Sequence, residues 1–309
     1  MSIQNFPNGV ASFGVPVLGG VSIPVTTGNY WFVDSAHGND GNSGKTPKRA
    51  FKTYDYAIGK CTADHGDVIV LCPKHAENIS TASGITNDVA GVTTVGLGYG
   101  GIKPKFSFTA AAATHVISAA NNTFINVQWE ANFLDVAMGL DVSAVAGLTF
   151  ESCWFTDAAS NLNFIITIDL ADGASFFTVN NCKFLGNDAQ NDTFINGVAH
   201  DGVFITNSLF YNQVAQAAAV GQIATSGNAT NVLIKRCDFV SLVDNAVQID
   251  LNGAACTGII AECYFSSLDT AGAVTGCIDA TGCHVFQCFV AGEADSYGLV
   301  GGGTVYNNA

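Results

Sequence analysis

LTFESCWFT (148–156), FTVNNCKFL (177–185), FITNSLFYN (204–212), LIKRCDFVS (233–241) and IIAECYFSS (259–267) are one phrase written five times. NTFINVQWE (122–130) and HVFQCFVAG (284–292) extend it in both directions. Counted from a central position held by Val127, Cys153, Cys182, Ser208, Cys237, Cys263 and Cys288, the intervals are 26, 29, 26, 29, 26 and 25 residues. A near-constant period of this size is the mark of a solenoid. Two residues after the centre stand Trp129, Phe155, Phe184, Phe210, Phe239, Phe265 and Val290, and three before it Phe124, Phe150, Val179, Ile205, Ile234, Ile260 and Val285. The residue just before the centre is always polar: Asn126, Ser152, Asn181, Asn207, Arg236, Glu262 and Gln287. Inward residues of a straight strand recur every second position, so apolar positions at minus three, zero and plus two require a bend. Asparagine suits such a bend because it tolerates left-handed backbone angles. The pattern predicts an all-β, right-handed parallel β-helix. Strand phrases around Cys72 and Leu97, whose register the sequence leaves open, bring the count to about nine rungs.

Composition agrees with this reading. Of 309 residues 48% are apolar and only 12% charged, against about 25% in an ordinary domain. Glycine is frequent at 34 and proline scarce at 6, which suits tight turns between strands that need every backbone donor. One rung cannot fold alone. About six buried side chains at about 1.5–3 kcal/mol each do not offset an ordering cost of about 1–2 kcal/mol per residue over about 27 residues. Stacking pairs both edges of each interior rung.

The net charge of −14, with Arg49 and Arg236 the only arginines, argues against nucleic acid and anionic membranes as partners. No run of 18 apolar residues occurs, and the N-terminus lacks the basic start and apolar core of an export signal, so the expectation is a product made in the cytoplasm with reduced thiols. The cysteine column also accepts Val127 and Ser208, so it calls for a small buried residue rather than a reactive one, and no CxxC pair suggests a metal. The six histidines show no ligand spacing and read as surface or turn residues. Neither a metal nor a cofactor is expected.

Residues 1–28 carry no periodicity yet hold Phe6, Pro7, Phe13, Val15 and Pro16, and read as an extended arm made to lie on another protein. Residues 29–66 read as a cap, with helical spacing at Phe51, Tyr54, Ile58 and Cys61. The β-helix follows over 67–290, then a tail over 291–309.

In the cap stand Tyr30, Phe32, Val33 and Asp34, then Asp40, Gly41, Pro47, Ala50, Phe51 and Thr53, then Gly66, Asp67, Val68 and Ile69. This set resembles the N-terminal cap of pectate-lyase-like β-helix proteins of bacteriophages and prophages. The arm phrases FPNGV and SFGVPVLGG are similar to the leading segments of head-associated members. The resemblance implies a virion structural protein: a capsid-associated decoration of the cement or head-fibre type, a homotrimer bound through its arm to the major capsid protein or another virion protein. The alternative it implies is a tailspike-like protein that binds or degrades glycans, as a polysaccharide hydrolase or lyase.

For that alternative a second column supplies carboxylates. Asp141, Asp169, Asn196, Ala224, Asp250 and Asp279 recur every 26 to 29 residues. Asp250 and Asp279 on adjacent rungs would lie about 5 Å apart, near the spacing of a retaining glycosidase. Aspartate before glycine is also ordinary turn chemistry, and no cation accompanies the pair. Finally, Trp154, Leu209, Tyr264 and Phe289 are expected outside the ladder, as apolar rows that mark contacts with other copies.

Overall fold

The computed structural model describes residues 10–12, 15–17, 23–187, 193–212, 221–241, 247–251, 253–267 and 277–292. The chain winds as a parallel β-solenoid through three sheets in repeating order. The first sheet runs from Tyr30–Val33 and Val68–Leu71 to Cys283–Phe286, the second from Ala76–Ile79 to Phe289–Gly292, and the third from Ile85–Asn87 to Ile278–Asp279. Among the described residues the third sheet has eight strands, so eight turns carry all three strands and a ninth carries strands of the first two sheets, slightly fewer than the nine expected.

The register of the first sheet puts Phe124, Phe150, Val179, Ile205, Ile234, Ile260 and Val285 side by side. In the second sheet Trp129, Phe155, Phe184, Phe210, Phe239, Phe265 and Val290 align in the same way. Five successive ring pairs from Trp129 to Phe265 stack with centroids 4.5–5.1 Å apart and planes within 11°. Strand spacing of about 4.8 Å sets that distance, and each offset pair adds about 0.5–1.5 kcal/mol to its burial.

Between these sheets the chain turns through two residues at every repeat. The first is the polar column, and all seven members are left-handed: Asn126 (φ 57°), Ser152 (57°), Asn181 (53°), Asn207 (51°), Arg236 (54°), Glu262 (55°) and Gln287 (52°). This conformation aims the corner N–H along the solenoid axis. Asn126, Ser152, Asn181, Asn207 and Arg236 each donate to the carbonyl just before the next turn's corner, at 2.9–3.1 Å. Asparagine amides add lateral bonds, from Asn126 to the Gly96 and Gly98 carbonyls and from Asn207 to Asn180 Oδ1. The second corner residue is the cysteine column. All ten thiols are free. In this column they bond to main chain: Cys153 Sγ to the Glu151 carbonyl, Cys263 Sγ to that of Ala261, and Ser208 Oγ to that of Thr206. Ser208 Oγ also accepts the Cys182 N–H, and Cys182 Sγ that of Cys153. The position therefore selects a small side chain able to serve buried backbone groups.

The first turns resolve the register left open. Thr93–Val95 pairs with Thr123–Ile125, but Cys72 and Leu97 pack outside the coil with Phe32, Ala50, Val68, Val70 and Val95. The inward small-residue column thus begins at Val127. In the cap the helix is shorter than the spacing predicts. It covers only Tyr54–Ile58, a 3-10 turn covers Pro47–Arg49, and Phe51 bridges Val33 instead. Tyr54, Ala57 and Ile58 are the buried face that plugs the first turn.

Each cap residue that carries the resemblance has a local task. Asp40 accepts from the Lys52 and Thr53 N–H groups and the Thr53 hydroxyl. Asp67, buried, accepts from Asn29 N–H at 2.6 Å and Thr62 N–H at 2.8 Å, with His65 Nδ1 at 2.9 Å. In the arm, Val10–Ser12 pairs antiparallel with Val15–Val17, so Val15 and Pro16 lie in a hairpin where no periodicity was visible. Phe6, Pro7 and Phe13 fall outside the described residues, as does the tail beyond residue 292.

Candidate functional site

The third sheet is a regular alternation of buried apolar and outward polar residues, as in Leu140-Asp141-Val142, Ile168-Asp169-Leu170 and Ile249-Asp250-Leu251. Its outward column is Asp141, Asp169, Asn196, Ala224, Asp250 and Asp279, paired in register along its whole length. Sequence periodicity located every member. The structure divides them into two carboxylate pairs, Asp141 with Asp169 and Asp250 with Asp279, separated by Asn196 and Ala224.

Burial, then the neighbouring Asp169 charge, raises the Asp141 carboxyl above its usual range. Burial, then Asp279, raises Asp250 in the same way. Asp250 Oδ1 is buried and accepts no hydrogen bond, while Asp279 is exposed. The Asn196 amide donates to Asp169 Oδ1 at 2.5 Å. Like charges on adjacent rungs favour retaining a proton on one of the two. An acid and a base side by side is the chemistry Asp250 and Asp279 could offer. Among the described residues no group of three or more His, Cys, Asp or Glu is arranged to hold a metal ion. Residues 242–246, 252 and 268–276, which border this pair in the chain, lie outside the described residues.

The histidines correct the sequence reading. His37, His65 and His284 reach solvent, but His75, His115 and His200 are buried. His115 sits inward on a third-sheet strand, two residues before inward Ile117. Trp129 Nε1–H donates to its Nδ1, so its Nε2–H donates to Asn87 Oδ1. The Asn87 amide donates to Tyr54 OH, which shares a hydrogen bond with the Thr94 hydroxyl. This buried chain ties the cap helix to the foot of the aromatic stack, and burial pushes the His115 pKa down to about 3, which keeps it neutral. The inward period of two at His115 and Ile117 was the signal that could have found it. His200 lies against Gly197, where a Cβ would come within 2.0 Å of Nε2. Lack of ligand spacing was no guide to exposure.

The outward apolar row also differs from expectation. Along the second sheet it reads Gln128, Trp154, Lys183, Leu209, Asp238, Tyr264 and Phe289, so charge interrupts it. Trp154 is flanked by Lys103 and Lys183, with Nζ 4.9 and 5.1 Å from its ring. Of its four apolar members only Tyr264 and Phe289 are openly exposed, at 43% and 67%.

No family model matches the sequence, and no curated protein matches it. Among solved structures the chain is similar to the pectate lyase Pel9A, at 14% identity over 88% of this chain and 79% of that one, with a TM-score of 0.49. It is similar to a GH136 lacto-N-biosidase from Eubacterium ramulus at 13% identity, over 91% and 67% of the two chains, with a TM-score of 0.45. It is also similar to ORF18 of Geobacillus virus E2 at 12% identity, over 77% and 57%, with a TM-score of 0.25. Identities this low concern the course of the chain and not its chemistry.

Proposed function

We propose that this chain is a virion structural protein, a capsid-associated decoration held through its N-terminal segment to the major capsid protein or another virion protein and assembled as a homotrimer. The observation that carries the reading is the segregation of that segment from the solenoid. Residues from Ile23 onward belong to the cap: Ile23 packs on the outer apolar cluster, Thr26 Oγ1 donates to the Gly66 carbonyl, and Tyr30 OH donates to the Pro24 carbonyl. Upstream, Val10–Ser12 and Val15–Val17 pair with each other and, among the described residues, with no strand of the solenoid. Strands that pair with each other and with no described solenoid strand leave their segment available to another surface. The test is deletion of residues 1–22, which spares the cap contacts of Ile23, Pro24 and Thr26, followed by purification of particles. Loss of the protein from particles is expected, and undiminished incorporation overturns the reading.

A second reading, a tailspike-like glycan-degrading protein, is favoured by one observation, the Asp250 and Asp279 pair with its raised Asp250. Asp250→Asn with Asp279→Asn then abolishes release of reducing ends or unsaturated sugars from a host surface polysaccharide that the unaltered chain cleaves. If the unaltered chain cleaves no such polysaccharide, the catalytic reading ends there.

A further inference from the structure

The charge of −14 is unevenly placed. Residues 1–105 hold eight of the eleven basic residues and seven of the 25 acidic ones, a balance of +1, whereas residues 106–309 hold three basic and eighteen acidic, a balance of −15. The basic excess is narrower still: Lys45, Lys48, Arg49, Lys52 and Lys60 fall within sixteen residues that contain a single acid, Asp55. That stretch lies in the cap, residues 29–66, which also holds Asp34, Asp40 and Asp64 and so carries a net +1. Its 3-10 turn lies against the strand Tyr30–Val33, the terminal member of the first sheet. Its helix turns Tyr54, Ala57 and Ile58 into the coil, which leaves the opposite side facing outward from the end of the solenoid.

All five basic side chains are exposed, and none forms an ion pair with a carboxylate among the described residues, although Lys45 donates to Asn29 Oδ1 at 2.8 Å near the Asp67 charge; Lys105 and Lys235 elsewhere are paired with Glu130 and Glu262. Two are held in place by aromatic rings, Lys45 Nζ at 3.4 Å from the Trp31 ring and Lys60 Nζ at 4.5 Å from that of Tyr56. Unpaired cations on a fixed scaffold keep their Coulomb energy for an incoming partner.

We infer that this end face is a docking surface for an acidic protein face, and that the acidic body directs the approach so that the solenoid meets its partner end-on. The field of a molecule with a positive end and a negative flank orients it during encounter. An acidic patch on a protein is local and meets the five cations without facing the body. A nucleic acid or an anionic bilayer extends beyond the end face and is repelled by the acidic body, where the described residues from 106 to 292 hold twelve acidic and three basic side chains. Arg49 adds a planar fork suited to carboxylates. The inference goes beyond the anchoring arm and needs only the distribution of charge.

The test uses the full chain and a short oligo-L-glutamate, small enough to lie within the end face, as a probe of carboxylate surfaces, with Lys48→Glu, Arg49→Glu and Lys52→Glu combined. Retained circular dichroism and melting temperature establish that this variant folds. Binding at low salt is expected to weaken at least about tenfold in the variant and to disappear for both proteins near 0.5 M NaCl, where screening is strong. An equal reversal on the flank, Lys183→Glu with Lys235→Glu and Arg236→Glu, is expected to leave binding within about twofold. Equal loss in both variants would overturn the end face as the site, and so would failure of the unaltered chain to bind the probe. If duplex DNA or phosphatidylserine vesicles bind as tightly and are lost with the cap variant, the acidic protein partner is wrong. A chain lacking residues 1–22 should still bind the probe. If it does not, while the cap reversal has no effect, the arm is the contact and the end-face inference falls on its own.

Discussion

Replacing Arg236 by glycine should stabilise the solenoid. Arg236 sits at φ 54°, in a column where the other repeats use asparagine three times. A residue with a Cβ in the left-handed region gives up about 1–2 kcal/mol, a cost that asparagine reduces through local hydrogen bonding and glycine avoids. Glycine returns about 0.5–1 kcal/mol through the greater entropy of the unfolded chain. Unlike Asn126 or Asn207, the Arg236 side chain makes no lateral bond to set against this, and its N–H bond to the Ala261 carbonyl at 3.1 Å survives the change. The net is about 0.5–1 kcal/mol in favour of Arg236→Gly, with Arg236→Asn similar. Urea denaturation followed by circular dichroism reads this as a higher midpoint at unchanged slope. The complementary change is Asn207→Ala. It keeps φ at 51°, loses the amide bond to Asn180 Oδ1 and should cost about 1–2 kcal/mol. If Arg236→Gly lowers the midpoint while Asn207→Ala leaves it unmoved, the corner is not where backbone conformation limits stability, and the reasoning fails.

Other outcomes follow from the same geometry. Phe210→Ala removes a ring fully buried between Phe184 and Phe239 and should cost about 3–5 kcal/mol by the same denaturation assay, whereas Phe210→Leu should cost much less. Burial raises Asp67, but the Asn29 and Thr62 N–H groups and His65 outweigh it, so its folded pKa is lowered. Its stabilising contribution is therefore present above about pH 4 and lost as pH falls through the folded value, and Asp67→Asn should flatten that part of a stability–pH profile. Asp250 has the opposite sign. Its folded pKa is raised by burial and by Asp279, so the ionised form opposes folding, and Asp250→Asn should be more stable than the unaltered chain at pH 7 with the gap closing below about pH 4. Burial pushes the Cys61 and Cys72 thiols up to about 12, so a thiol reagent at pH 8 should modify them only on unfolding.

The corner and the two inward columns were legible because each repeats at a fixed distance from the bend, so seven copies vote on each position. The Asp column was legible for the same reason, yet its division into pairs depends on Asn196 and Ala224, and only side-chain geometry reveals the Asn196 bond to Asp169 and the unbonded Asp250 Oδ1. Cys72 and Leu97 were ambiguous because the first strands are covered on both faces; Val68–Leu71 is buried throughout, so no alternation marks which side is inward. The helix was overextended because Phe51 matches helical spacing while serving as a bridge partner of Val33. The cationic end was missed because a total of −14 hides a local excess.

The seven two-residue bends act as a ruler. Between the first and second sheets the link is four residues (72–75) and then eight (97–104) in the first two turns, but from Asn126-Val127 to Gln287-Cys288 it stays at two, while the link between the second and third sheets ranges from four residues (132–135) upward. From residue 123 onward, growth in coil circumference is therefore confined to the other two vertices. A peptide grafted at the invariant vertex would throw every later layer out of phase. The same peptide placed at 132–135 would project as an appendage and leave the stack in step.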